Sequence, residues 1–247
     1  GRVQNLHHFI ETVAGARISS WLDDRGDVLK EESPAGFVFL KESKFKALAQ
    51  SEEIPELLAT VAARLIGVMP PLAGLAQIRY RLHFPDDGGF ALHSGRQRYA
   101  DGILTIDRES LPPPPGASPA CTTTPADLAA TRMVQTGHPK LTEMAGKITA
   151  GRTAPVEKLR AIAAWVHDNL EKRPVLGLPD ALTILASRIG DCNEHAVLFA
   201  ALARTVGIPC RIVAGVTFLN DAFYYHAWNE VCIDGQWITV DTTTNQL

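Results

Sequence analysis

The sequence predicts an α+β protein, and three observations carry that prediction. A helix-rich stretch from Asp127 to Val206 is followed by a strand-rich one from Arg211 to Asp241. Asp234-Gly235 between the last two strands is a strong two-residue hairpin signal. Leu111-Pro112-Pro113-Pro114-Pro115-Gly116-Ala117-Ser118-Pro119 favours extended polyproline II and stops both helix and sheet, so it reads as a linker. The expected organisation is a smaller N-terminal α+β domain of unknown role over 1–110, a Pro-rich linker over 111–125, and a second domain over 126–247.

Composition narrows the class. The chain has 247 residues, 46% hydrophobic and 21% charged, which is ordinary globular usage. Net charge is −3 with no long basic run, so a nucleic-acid partner is not expected. No apolar stretch reaches the roughly 18 residues of a spanning helix. The chain begins without Met and stops after Asn245-Gln246-Leu247, which reads as a piece of a longer protein. The missing leader therefore says nothing about compartment. The oligomeric state is open.

In the N-terminal region, Asp23-Asp24-Arg25-Gly26-Asp27 reads as a turn between strands. Strands are expected at Gly36–Leu40, Gln77–Phe84, Arg96–Tyr99 and Ile103–Ile106, and helices at Lys41–Gln50 and Pro55–Ile66. His7, His8, His83 and His93 are isolated and read as surface or edge residues.

In the second domain, helices are expected at Pro139–Ala150, Pro155–Leu170 and Pro179–Ser187, with Pro155 and Pro179 placed for first helical positions. A fourth starts at Cys192 and ends before Gly207 and Pro209. Asp191 is its expected N-cap, and Glu194 completes a capping box. Cys192 then lies in the first turn, where free N–H groups and the positive dipole end favour a thiolate. Strands follow at Arg211–Thr217, Phe223–Ile233 and Gln236–Asp241. The other cysteines do not suggest a disulfide framework or the paired spacing of a zinc site. Cys210 and Cys232 lie in strand-like apolar runs and read as small packing thiols.

A two-residue hairpin loop fixes the register: Ile233 opposite Gln236, Cys232 opposite Trp237, Glu230 opposite Thr239 and Trp228 opposite Asp241. His226, Trp228, Thr239 and Asp241 then share one sheet face, with His226 diagonal to Asp241. Cys192, His226 and Asp241 supply a nucleophile, a base and an orienting acid, which acyl transfer requires. His195 is favoured as structural, Glu194 as a cap and His167 as a helix-surface residue. A metal site from Cys192, His195 and His226 lacks the usual ligand spacing and second shell.

Gly190-Asp191-Cys192-Asn193-Glu194-His195-Ala196 followed by Ala203 to Arg211 resembles the core signature of the transglutaminase-like superfamily. Tyr225-His226-Ala227-Trp228-Asn229-Glu230-Val231 and Trp237 to Thr243 are similar to its histidine and aspartate motifs. The resemblance covers roughly 155–247 and rests on four motifs in order. It implies a papain-like cysteine fold for 126–247, continuing beyond Leu247, with Cys192, His226 and Asp241 as triad. The family's usual Asp-Pro-Thr is here Asp241-Thr242-Thr243, which alters the turn after the carboxylate. The Cys192 backbone N–H supplies one oxyanion donor; Trp165, Asn169 and Lys172 are the candidates for the second. Trp165 is favoured as core, and Trp228 either walls the cleft or packs beneath it.

The resulting expectation is a cofactor-free bacterial-type enzyme that cleaves or transfers amides of a protein or peptide, with hydrolysis favoured over cross-linking. Bacterial relatives point weakly to a site outside the cytoplasm. The alternatives are a silent binding or scaffold protein that keeps the fold, and, weakest, a thiol redox or metal site at Cys192.

Overall fold

The computed structural model describes residues 5–13, 16–32, 38–41, 63–83, 90–93, 95–109, 121–173, 175, 180–219 and 221–247. Near the N-terminus, β1 (His7–Val13), β2 (Ala16–Leu22), β3 (Val28–Glu32) and β4 (Val38–Leu40) form an antiparallel meander in sequence order. The expected turn at Asp23–Asp27 joins β2 to β3, and Asp23 accepts the Arg25 and Asp27 N–H groups. β2 and β3 are the strands that this turn implies, while β1 had no signal of its own, because Val3 to Trp21 mixes apolar and polar residues without clean alternation. His7, His8, His83 and His93 are exposed, as expected.

The expected helix over 41–50 falls almost wholly outside the described residues. The helix expected over Pro55–Ile66 is described only at its end, where Ala63–Arg64 form a short strand, β5. Those two residues pair with Phe223 and Ala222, so tertiary strand pairing overrides their helical spacing. β6 (Gln77–Arg81), β7 (Gln97–Ala100) and β8 (Ile103–Asp107) make a second antiparallel sheet in the order β6-β8-β7.

Three helices and one buried helix then build the core: α1 (Pro139–Ile148), α2 (Pro155–Asn169), α3 (Ala181–Ser187) and α4 (Cys192–Thr205). Pro155 sits in a first helical turn as expected, and Pro139 does the same in α1. For α3 the N-cap is Asp180, which accepts the Thr183 N–H, and Pro179 lies outside the described residues. Leu198, Phe199, Ala200, Ala201 and Leu202 of α4 are fully buried, against Leu141, Leu159, Ile162 and Ile184 of the other helices. Each such Leu, Ile or Phe contributes about 1.5–3 kcal/mol, so this helix is the centre of the core.

β9 (Glu171–Lys172) and β10 (Ile189–Gly190) pair in parallel just before α4. The C-terminal sheet runs β11 (Cys210–Leu219), β12 (Ala222–Ile233), β13 (Gln236–Val240), all antiparallel. Its register is the one the hairpin implies: Ile233 opposite Gln236, Cys232 opposite Trp237 and Glu230 opposite Thr239. Asp234 and Gly235 both take positive φ, 51° and 82°, as a type I′ turn requires. β11 covers one edge of β12 along its length. The other edge carries β13 at 229–233 and β5 at 222–223, and among the described residues the ladder is open between them.

One cysteine reading is corrected. Cys232 is bonded to Cys121 in a disulfide, with Cα atoms 6.0 Å apart. Alternation along β12 puts Cys232 on the face away from α4, where Cys121 reaches it; a separation of 111 residues hides the pairing from local pattern. Cys210 is a free, buried thiol as read. Reduction, or Cys121→Ser, is expected to lower stability by about 3–4 kcal/mol through the large loop released. Thermal unfolding with and without reductant checks this; an unchanged melting temperature would contradict it.

Candidate active site

The loop before α4 is locked by its own side chains. Asp191 accepts the Asn193 N–H at 3.1 Å, and Glu194 accepts the Asp191 N–H at 2.9 Å, closing the expected capping box. Glu194 is 3% exposed, and burial, then the neighbouring Asp191 side chain, hold its carboxyl well above the usual range against the opposing bond from the Asp191 N–H. A side chain on Gly190 would run into the Cβ of Glu194, so this position must lack one. Cys192 is thereby fixed at the start of α4.

The Cys192 sulfur lies near Ala227 of β12, whose backbone N–H favours the thiolate. Burial pushes the thiol up to about 12, and the Asp191 and Glu194 carboxylates add to the rise. This corrects the expectation that the helix start alone yields a thiolate: desolvation and two acidic neighbours outweigh the dipole and the N–H groups of Ala227 and Asn193.

His226 is one residue away on β12. Its Nε2 donates to Asp241 Oδ2 at 2.8 Å, both side chains being about a tenth exposed. That bond leaves Nδ1 as the ring nitrogen for a proton from elsewhere. Asp241 follows β13 and is fixed from several sides. Thr243 and Thr244 N–H groups donate to Oδ1, the Thr244 hydroxyl donates to Oδ2 at 2.6 Å, and backbone bonds to Gln246 close the turn. Burial opposes its charge, but the bonds from His226 and Thr244 outweigh it and hold the carboxyl at about 2. The threonine-rich turn thus folds back onto the carboxylate.

Behind this turn, His195 is 1% exposed and its Nδ1 lies 3.3 Å from the Thr242 hydroxyl. Burial, then the Lys172 and His167 charges, lower it to about 4, so it is a neutral packing group, as favoured from sequence. His167 is more than a helix-surface residue. Its Nδ1 donates to the Thr242 carbonyl at 2.9 Å, tying α2 to the Asp241 turn. Among the described residues no group of three or more His, Cys, Asp or Glu side chains is arranged to hold a metal ion.

Trp228 stacks near His226, ring centres 6.1 Å apart, and its indole lies across Gly215, where a Cβ would collide with it. It therefore walls the histidine. The three candidates for a second oxyanion donor lie on α2 and β9. Trp165 lies under the Arg188 guanidinium, the Asn169 amide donates to the Trp165 carbonyl, and Lys172 pairs with Gly190 in the β9–β10 bridge. Sequence reasoning missed Tyr225, whose hydroxyl donates to Asn193 Oδ1 at 3.0 Å. Its place beside His226 in the chain was the available signal.

Residues 142–242 match the sequence profile of the transglutaminase-like superfamily. The chain carries a transglutaminase-like domain. Mouse and human kyphoscoliosis peptidase are each 27% identical to it over 123 residues, covering 42% of this chain and 18% of theirs. The match thus spans under a fifth of those relatives. Among solved structures, a candidate cysteine protease from Cytophaga hutchinsonii is 31% identical, covering 49% of this chain and 42% of that one at a TM-score of 0.45. The periplasmic domain of TgpA from Pseudomonas aeruginosa is 20% identical, covering 58% and 53% at 0.41. The transglutaminase-like domain is of α+β class, and no helix among the described residues is long and apolar enough to cross a membrane.

Proposed function

We propose that the transglutaminase-like domain is a cysteine enzyme acting on amide bonds of a protein or peptide, hydrolysis being favoured over cross-linking. Cys192 is the nucleophile, His226 the acid–base group and Asp241 its orienter. The observation that carries the reading is the His226–Asp241 hydrogen bond, one residue along β12 from Ala227, whose backbone N–H lies near the Cys192 sulfur.

His226 Nδ1 takes the thiol proton as sulfur bonds to the carbonyl carbon and the carbonyl π pair moves to oxygen. On collapse the C–N bond breaks, and the imidazolium returns its proton to the departing amine. Water then attacks the thioester with His226 as base, breaking the C–S bond. Asp241 stays ionised across the neutral range and stabilises the imidazolium in both halves. Because burial disfavours a bare thiolate, His226 must accept the proton as the S–C bond forms. The same burial favours the scaffold reading, in which the thiol stays neutral and the fold serves binding.

The peptidase name of the kyphoscoliosis relatives supports cleavage over cross-linking. The Cys121–Cys232 disulfide supports an oxidising compartment. The test is incubation of unfolded casein with the protein, with and without excess monodansylcadaverine, read by mass spectrometry. New chain ends or glutamine-to-glutamate conversion that need Cys192 are expected. Preferential amine incorporation would replace hydrolysis by cross-linking, and no Cys192-dependent change in either case would favour the scaffold.

A further inference from the structure

Once Cys192 attacks a carbonyl, the oxygen takes up negative charge and needs preorganised donors. The first turn of α4 leaves one of its four leading N–H groups for it. Asn193 and Glu194 N–H groups are taken by the Asp191 carboxylate, and the His195 N–H by the Asp191 carbonyl. Among the described residues the Cys192 N–H remains without a partner. Of the candidates read from sequence, Trp165 lies under the Arg188 guanidinium and the Asn169 amide donates to the Trp165 carbonyl.

Odd-numbered residues of β12 face α4: Val231 is buried, the Asn229 amide donates to the Ala196 carbonyl, and Ala227 is 3% exposed. Tyr225 is the next on that face, 47% exposed, at the open end where α4 begins. Its hydroxyl reaches Asn193, the neighbour of Cys192, and so stands at the mouth of the nucleophile's site. We infer that the Tyr225 hydroxyl, held there by Asn193, is the second hydrogen-bond donor to the oxyanion formed on attack by Cys192. The inference rests on Cys192 being the nucleophile.

Chemistry and environment agree with this role. Burial, then the nearby Cys192 sulfur and the Asp191 and Glu194 carboxylates, push the phenol up to about 12, so it keeps its proton at neutral pH. In the resting site that proton rests on Asn193 Oδ1. A half-turn of the Asn193 amide lets Nδ2 donate to the tyrosine oxygen and frees the O–H for the substrate. The bond to a charged oxygen is stronger than the one it replaces, so the exchange favours the transition state.

The test compares two reactions of Cys192 in wild type, Tyr225→Phe and Asn193→Ala. With p-nitrophenyl acetate, sulfur bonds to the acyl carbon through an oxyanion and p-nitrophenolate leaves. With iodoacetamide, sulfur displaces iodide at a methylene carbon and no oxyanion forms. Tyr225→Phe is expected to slow single-turnover acylation by about 100-fold while alkylation stays within about twofold. Asn193→Ala is expected to give a smaller loss of acylation. Unchanged acylation in Tyr225→Phe overturns the inference. Equal slowing of both reactions also overturns it, because the tyrosine then acts on the thiol. An Asn193→Ala loss as large as that of Tyr225→Phe overturns it too, because the tyrosine then only braces the helix start. If wild-type Cys192 reacts with neither reagent, the nucleophile reading itself fails, and the inference falls with it.

Discussion

Cys192→Ala is expected to lower amide or ester turnover by at least about 10⁴-fold, because removing the nucleophile ends the covalent route. The fold should survive. Cys192 sits at the start of α4, whose cap is made by Asp191 and Glu194 and whose core contacts begin with Ala196. Loss of one partly exposed thiol should cost little stability, and alanine is a good helix former. His226→Ala should approach the same loss, since without it the sulfur has no proton acceptor. Turnover by purified variants checks both. If Cys192→Ala keeps turnover within tenfold, the catalytic account fails; if neither wild type nor variant turns over substrate but both bind it, the scaffold account stands.

Gly190→Ala is expected to cost about 3 kcal/mol and to reduce activity further than that loss alone explains. A Cβ at 190 meets the Cβ and Cγ of Glu194, and neither can step aside. Glu194 is buried and bonded to the Asp191 N–H, while Gly190 pairs with Lys172 in the β9–β10 bridge. Relief requires the start of α4 to shift, carrying Cys192 with it, and a displacement of about 1 Å at a nucleophile can cost about 100-fold in rate. Thermal unfolding together with the acylation rate of the folded fraction checks the prediction. Wild-type values in both would show that the helix start is not set by this contact.

Most of the C-terminal architecture was legible in the sequence because its signals are local. Asp191 and Glu194 announce the α4 cap, and Asp234-Gly235 fixes a turn whose two-residue length dictates every pair from Ile233–Gln236 to Asn229–Val240. From that register alone, His226 comes within reach of Asp241. Features that depend on distant chain segments were not legible. Pairing of Ala63–Arg64 with β12, and of Cys121 with Cys232, joins residues over 100 apart, where neither hydrophobic period nor turn chemistry carries information. The thiol's environment was misjudged for a related reason. The helix start is visible in sequence, but the burial and the two carboxylates that oppose its effect emerge only when the loop closes on itself. Likewise His167 reads as a surface residue on α2 until the Thr242 carbonyl arrives beside it.

The pH dependence of Cys192 alkylation by iodoacetamide, in wild type and in His226→Ala, tests the central claim most directly. A thiol at about 12 has only about one molecule in 10⁵ ionised at pH 7, so on its own it should be inert there. With His226 present to take the proton as the S–C bond forms, alkylation should be at least about 100-fold faster at pH 7 than in the variant. In His226→Ala the rate should keep climbing through the alkaline range. Identical profiles in the two proteins would show that His226 does not serve Cys192, and would contradict the account.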